Sequence, residues 1–236
     1  EISTYKGAQS LRLKDIYGIS VIIDTFNWSL QARYSTLKLG DEISSSVISK
    51  LQALAQQVPS IDSIWPNIPG TVDTIRSINR KAQYISLGAT YDHENWSYVA
   101  EVSNINTGDV GQGVRSAYSS LIHHSGNHSW YGIYAATKTS NFNIDSLNID
   151  VPALTNIAGG NDLYQNVDIA MNLYTPNQTT TSLGWRWNFF HHMALKVQWD
   201  NTHIEAQGAS LWLNKDLTHT PKETVNTFFT NLSFVF

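Results

Sequence analysis

Apolar and polar residues alternate along most of the chain, and the alternation is cleanest at its end. Phe228, Thr230, Leu232, Phe234 and Phe236 share one parity, while Phe229, Asn231, Ser233 and Val235 share the other. Alternate side chains of a strand point to opposite faces, so this segment predicts a strand with one apolar and one mixed face. The segment Thr181–Thr202 reads as a hairpin that turns near Phe190-His191-His192. Its first strand sets Thr181, Leu183, Trp185, Trp187 and Phe189 against Ser182, Gly184, Arg186 and Asn188. Its second sets Met193, Leu195, Val197 and Trp199 against Ala194, Lys196, Gln198 and Asp200. Two earlier hairpins repeat 68 residues apart, Asp24 and Asn27-Trp28 matching Asp92 and Asn95-Trp96. In each, Asp and Asn supply the turn chemistry and Trp opens the return strand. A looser copy turns at Ser125-Gly126-Asn127-His128 before Trp130.

Taken together, the pattern predicts nine strands, at about 10–23, 26–38, 82–92, 95–104, 113–123, 129–139, 181–190, 193–203 and 224–236. Short turns alternate strictly with long connections at roughly 39–80, 104–113, 139–180 and 204–223. Short turns on one side and long loops on the other are the habit of transmembrane barrels, and strands of about ten residues suit a bilayer crossing. The expected fold is therefore all-β, a transmembrane antiparallel up-and-down β-barrel forming a single domain over residues 1–236. The long connection at 41–80 is a helical insertion: Ile43, Val47, Leu51 and Leu54 recur at helical spacing until Pro59, and Thr71–Lys81 predicts a second short helix. Asp162–Tyr174 alternates weakly and predicts a further hairpin within the late loop.

Composition narrows the class. Charged residues make up 14% of the chain, against about 25% in an ordinary soluble domain. Eight Trp and 11 Tyr, with a mean hydropathy of −0.24 and no apolar run long enough for a spanning helix, also suit a barrel that alternates lipid-facing and polar residues. A net charge of −4 and a pI near 6.0 argue against a nucleic-acid partner. The absence of cysteine fits passage through an oxidising periplasm.

The segments Leu183-Gly-Trp-Arg-Trp-Asn188, Met193-Ala-Leu-Lys-Val-Gln-Trp199 and Leu232-Ser-Phe-Val-Phe236 resemble the C-terminal portion of Gram-negative outer-membrane porins, in the superfamily that includes phosphate-selective channels. Gln198-Trp199 departs from the acidic residue and Tyr commoner there, and the insertion at 41–80 is unusually long. The resemblance implies a passive diffusion channel for small hydrophilic solutes in the Gram-negative outer membrane. It also implies recognition of the last strand by the barrel-assembly machinery, self-association as a homotrimer, and no cofactor. Nine strands leave the count odd, whereas single-chain bacterial barrels have even numbers. The expectation is that this is part of a larger barrel of about 16 strands; a ten-strand barrel using Ile2–Gly7 or the late loop is the alternative.

With the apolar face outward, the pore-lining candidates are Arg12, Lys14, Arg33, Glu101, Arg186, Lys196 and Asp200, accompanied by Gln31 and Gln198. Five bases against two acids predict a weak anion preference, unless the charges pair across strands and leave little field. The strands at 113–123 and 129–139 resist a facial assignment. Trp28, Trp96, Trp130 and Phe236 are the expected interfacial girdle, since amphipathic rings prefer the headgroup level. His123-His124 and His191-His192 are poor chelators, because strand neighbours point apart and no carboxylate or Cys stands at ligand spacing. Two other classes remain open. A barrel lipase or protease would use His128-Ser129 or His203 with Glu205, and a soluble carbohydrate-binding sandwich would use the aromatics as stacking platforms.

Overall fold

The computed structural model describes residues 12–42, 44–107, 113–139, 142–172, 176–205 and 222–234. Nine strands form one antiparallel sheet in which every strand pairs with its sequence neighbours: β1 (Leu13–Asp24), β2 (Trp28–Leu39), β3 (Lys81–His93), β4 (Trp96–Asn106), β5 (Val114–Ser125), β6 (His128–Thr139), β7 (Gln178–Phe190), β8 (Met193–Ile204) and β9 (Glu223–Phe234). All nine expected strands are present within a few residues. Among the described residues β1 and β9 are the two edges, and both run in the same direction.

The register fixes the faces. Ile19, Tyr34, Ile85, Leu87, Val102, Leu121, Leu183, Trp199 and Phe228 lie on one face, and several of them are more than half exposed. Ser86, Ser120 and Ser182 are buried on the other face, although small and polar. Large apolar groups fanned open and small polar groups crowded together mean that the sheet curls toward its polar face. Pairing also settles β5 and β6: Ala117, Leu121 and Tyr134 fall on the apolar face, and Ser116, Tyr118, Ser120 and Tyr131 on the polar one.

The short turns are staggered. Asp24 pairs with Ser29 and Ser29 with Thr90, three residues short of the His93–Trp96 turn. Trp96 pairs with His123, two short of Ser125–His128, and His128 pairs with Trp187, three short of Phe190. With about 3.3 Å per residue and about 4.8 Å between strands, the strands lean by about 40–45° from the perpendicular to the line of turns.

Among the described residues the opposite end carries four α-helices, α1 (Ser45–Gln57), α2 (Ile68–Ile75), α3 (Val151–Leu154) and α4 (Gly160–Asn172), from two connections separated by four strands. They share one core, in which Leu51, Trp65 and Leu154 have no exposed surface and Ile68, Val167 and Met171 nearly none. Asn67 starts α2 by accepting a 3.0 Å bond from the Gly70 amide, with Pro69 in the first turn. That start explains why the helix runs 68–75 and not 71–81. Arg80 caps its far end, donating to the carbonyls of Asp73, Thr74 and Arg76 at 2.7–3.0 Å. The hairpin expected at 162–174 is instead helix α4, because Leu163, Val167 and Met171 recur every four residues and are buried together. Expected Ile43 lies outside the described residues.

Candidate functional site: the two faces of the wall

The polar face holds most of the expected working residues. Arg33, Glu101, Arg186, Lys196 and Asp200 share it, with Gln31 and Gln198. Lys14 does not. A bulge between Lys14 and Tyr17, with Asp15 at φ 49°, adds a residue to β1 and brings Lys14 opposite Lys38 on the apolar side. Arg12 precedes β1, and its amide donates to the Asp41 carboxylate at 2.7 Å.

On β6–β8, the Tyr131 ring crosses over Gly184, where any Cβ would overlap it. The Tyr131 hydroxyl donates to Gln198 Oε1 at 2.8 Å, and Gln198 Nε2 donates to Asp200 at 2.7 Å. Lys196 Nζ stands 5.2 Å from the centre of the same ring. Arg186 and Lys196 are directly opposite each other, and Arg186 donates to Asn188 Oδ1 at 2.9 Å. Facing cations normally repel, so this pair keeps a positive field on the polar face, with Asp200 four residues away along β8. Further along, the Tyr84 hydroxyl donates to Glu101 at 3.1 Å. Tyr84 and Tyr131 escaped sequence reading because their roles depend on cross-strand partners; an aromatic whose partner is a strand glycine is the one local signal.

At the short-turn rim of this face, Ser129 Oγ meets His124 Nδ1 at 3.0 Å. His124 Nε2 meets Ser97 Oγ at 3.2 Å, and Ser97 bonds Asp92. His123 faces the other way and packs on Trp96 with ring centres 4.5 Å apart. His128 also lies on the apolar side, stacked on Trp185, so it cannot serve Ser129. His203 does approach Glu205, at 3.9 Å.

Trp28, Trp96 and Trp130 all lie on the apolar face near the short turns, paired with Tyr91, His123 and Trp185. Phe236 lies outside the described residues. Toward the long connections the same face ends in Lys38 and Lys81 on β2 and β3, and in Arg115 and Lys138 on β5 and β6. Ten residues separate Trp28 from Lys38 and Tyr91 from Lys81; eight separate His123 from Arg115 and Trp130 from Lys138. Corrected for the lean, the apolar band between them is about 20–25 Å tall.

The helical connections are tied down where they leave the sheet. Glu42 accepts from Ser77 through its amide at 3.0 Å and its hydroxyl at 2.9 Å, and from the Ser44 and Ile78 amides at 3.2 and 3.4 Å. Burial disfavours its charge, but these donors outweigh it and hold the carboxyl below its ordinary value. The two connections are stitched together by the Asp150 amide, which donates to the Ile64 carbonyl at 2.8 Å.

Compared with known families and curated proteins, the sequence matches no family model and no curated protein.

Proposed function

We propose that the chain is wall and mouth of an outer-membrane porin, a passive diffusion channel for small hydrophilic solutes. The observation that carries this reading is the exposed apolar band, about 20–25 Å tall between aromatic and basic rims, close to the roughly 25 Å band of membrane barrels. In water so much exposed apolar area would drive association; against lipid it costs nothing. The polar face then lines the lumen, with Arg33, Glu101, Arg186, Lys196 and Asp200 as its charged groups, and the field of Arg186 and Lys196 favours anions weakly. The helices sit at the extracellular mouth and narrow it.

A bilayer tolerates no open strand edge. Closing β1 on β9 would pair parallel strands, since both run the same way. Beyond the nine strands of the described residues, an even, antiparallel barrel needs at least one more, and our reading is a larger barrel of about 16. The polypeptide carrying these residues, reconstituted in planar bilayers under a salt gradient, is expected to conduct in steady steps with a reversal potential displaced toward chloride. Absence of steps would overturn the channel; cation-directed reversal would overturn the anion preference alone.

One observation favours a rim hydrolase as second reading: the chain of bonds from Ser129 through His124 and Ser97 to Asp92 has the order of an activated serine. Labelling of Ser129 by a fluorophosphonate, abolished in Ser129→Ala, would establish it in place of the channel if conductance is absent.

A further inference from the structure

Along the short-turn rim of the polar face, neighbouring strands set side chains of complementary chemistry in a line. Asp92 pairs with Ser97, His124 with Ser129, Ser129 with Arg186 and Arg186 with Lys196. From β3 to β8 the order is acid, hydroxyl, imidazole, hydroxyl, guanidinium and ammonium. Ser129 stands between a base on one side and two cations on the other.

The bonds themselves fix the tautomer of His124. The Ser97 hydroxyl donates its one hydrogen to the Asp92 carboxylate. Ser97 Oγ can then only accept from His124, so Nε2 of that ring carries the hydrogen at the 3.2 Å contact. The other nitrogen, Nδ1, keeps its lone pair and accepts from Ser129 Oγ at 3.0 Å. A base held this way against a serine hydroxyl activates it as a nucleophile.

The cations on the other side carry the specificity. Arg186 and Lys196 face each other, an unfavourable arrangement that an anion lying between them would relieve. Arg186 gives its Nε hydrogen to Asn188 Oδ1 at 2.9 Å, which leaves its terminal amino groups without a partner among the described residues. Three acids of the same face are engaged: Asp92 by Ser97, Glu101 by Tyr84 at 3.1 Å and Asp200 by Gln198 at 2.7 Å. Arg186 lies one strand from Ser129 and Lys196 two, about 5 and 10 Å across the sheet.

We propose that Ser129 hydrolyses carboxylic esters whose acyl part carries a negative charge a few bonds from the scissile carbonyl, held there by Arg186 and Lys196. Ser129 Oγ bonds to the acyl carbon while its proton passes to His124 Nδ1. The ester C–O bond then breaks, and the same proton goes to the departing alkoxide oxygen. Water, giving its proton to Nδ1, next splits the acyl-serine and leaves a free acid and the original hydroxyl. The inference rests on the hydrolase reading of this rim, adds its substrate class, and holds whether or not the wall conducts.

The test compares mono(4-nitrophenyl) adipate with 4-nitrophenyl hexanoate, a terminal carboxylate against a terminal methyl, on the whole protein in zwitterionic detergent. The adipate ester is expected to show kcat/KM about ten- to a hundred-fold higher. In Arg186→Gln the two esters should converge to within about three-fold, through a raised KM for the adipate alone. Ser97→Ala, which releases the His124 tautomer, should lower kcat for both about ten-fold at unchanged KM. A raised KM at unchanged kcat would overturn that relay. Lys50→Gln, an equal charge change on α1 in the helical layer, is expected to behave as the parent does. Equal kcat/KM for the two esters, with turnover abolished in Ser129→Ala, would overturn the substrate class and leave the hydrolase reading standing. Turnover of neither ester, with no fluorophosphonate labelling of Ser129, would overturn both. An Arg186→Gln protein that still labels at Ser129 and still prefers the adipate as the parent does would overturn the role given to the cations.

Discussion

The helical layer and the sheet obey opposite rules within one chain. In the helices, Leu51, Trp65 and Leu154 are withdrawn completely from the surface, while on the sheet Leu87, Leu183 and Phe228 keep 58%, 57% and 68% of theirs. The first arrangement is what water imposes on apolar side chains. The second is stable where the surroundings are apolar as well, and there the backbone must be satisfied by strand pairing. On the proposed membrane reading, the change of solvent falls along the strand axis, at the level of Lys38, Lys81, Arg115 and Lys138.

Four changes break or sharpen that contrast. Trp65→Ala removes the largest side chain of the helical core and should cost about 3–5 kcal/mol there. Limited proteolysis would then cut within α1 and α2 while hydrogen exchange of β3–β6 stays slow; loss of both together would mean that the two regions fold as one. Leu87→Arg, near the middle of the exposed band, should cost about 2–4 kcal/mol in lipid, whereas a solvent-exposed site would tolerate it within about 0.5 kcal/mol. Unfolding midpoints in lipid vesicles read the difference. Gly184→Ala forces the Tyr131 ring off its seat and should cost about 1–3 kcal/mol, seen as a lowered unfolding midpoint.

The smallest effect concerns Glu42, where the helical connection leaves the sheet. Glu42 is held below its ordinary value of 4.5, so its contribution is fully present above that pH and is lost as pH falls through the lowered folded value. Protease protection of the helices should be flat through neutral pH and decline only below the ordinary value of 4.5, and Glu42→Gln should flatten the profile at a lower level. A decline beginning above pH 5 would assign the dependence to another group.

All nine strands were legible because most carry a period-two record and the short turns carry their own turn residues, while the strands at 113–123 and 129–139 were placed without a face. Helix α4 was not, since Leu163, Val167 and Met171 are buried by partners in the other long connection, such as Leu51 and Val72, about 90 to 120 residues upstream. A segment whose apolar face is explained only by distant chain looks ambiguous alone. Lys14 was misplaced for a different reason: one extra residue at the Asp15 bulge reverses every facial assignment before it. The sequence named Arg33, Glu101, Arg186, Lys196 and Asp200 by parity, yet the facing of Arg186 and Lys196 and the seat of Tyr131 over Gly184 depend on register across strands. The basic rim of Lys38, Lys81, Arg115 and Lys138 is more remote still, because only pairing across strands gathers these residues on one face.

The central claim is that the two faces of the sheet meet different solvents. The chain contains no cysteine, so single cysteines placed in turn at Ile85, Ser86, Leu87 and Gly88 can each carry a nitroxide label without background. In vesicles, relaxation by oxygen should be strong at 85 and 87 and weak at 86 and 88, with a water-soluble nickel chelate showing the reverse. Equal access of the nickel chelate to all four positions would contradict the account, for the apolar face would then stand in water.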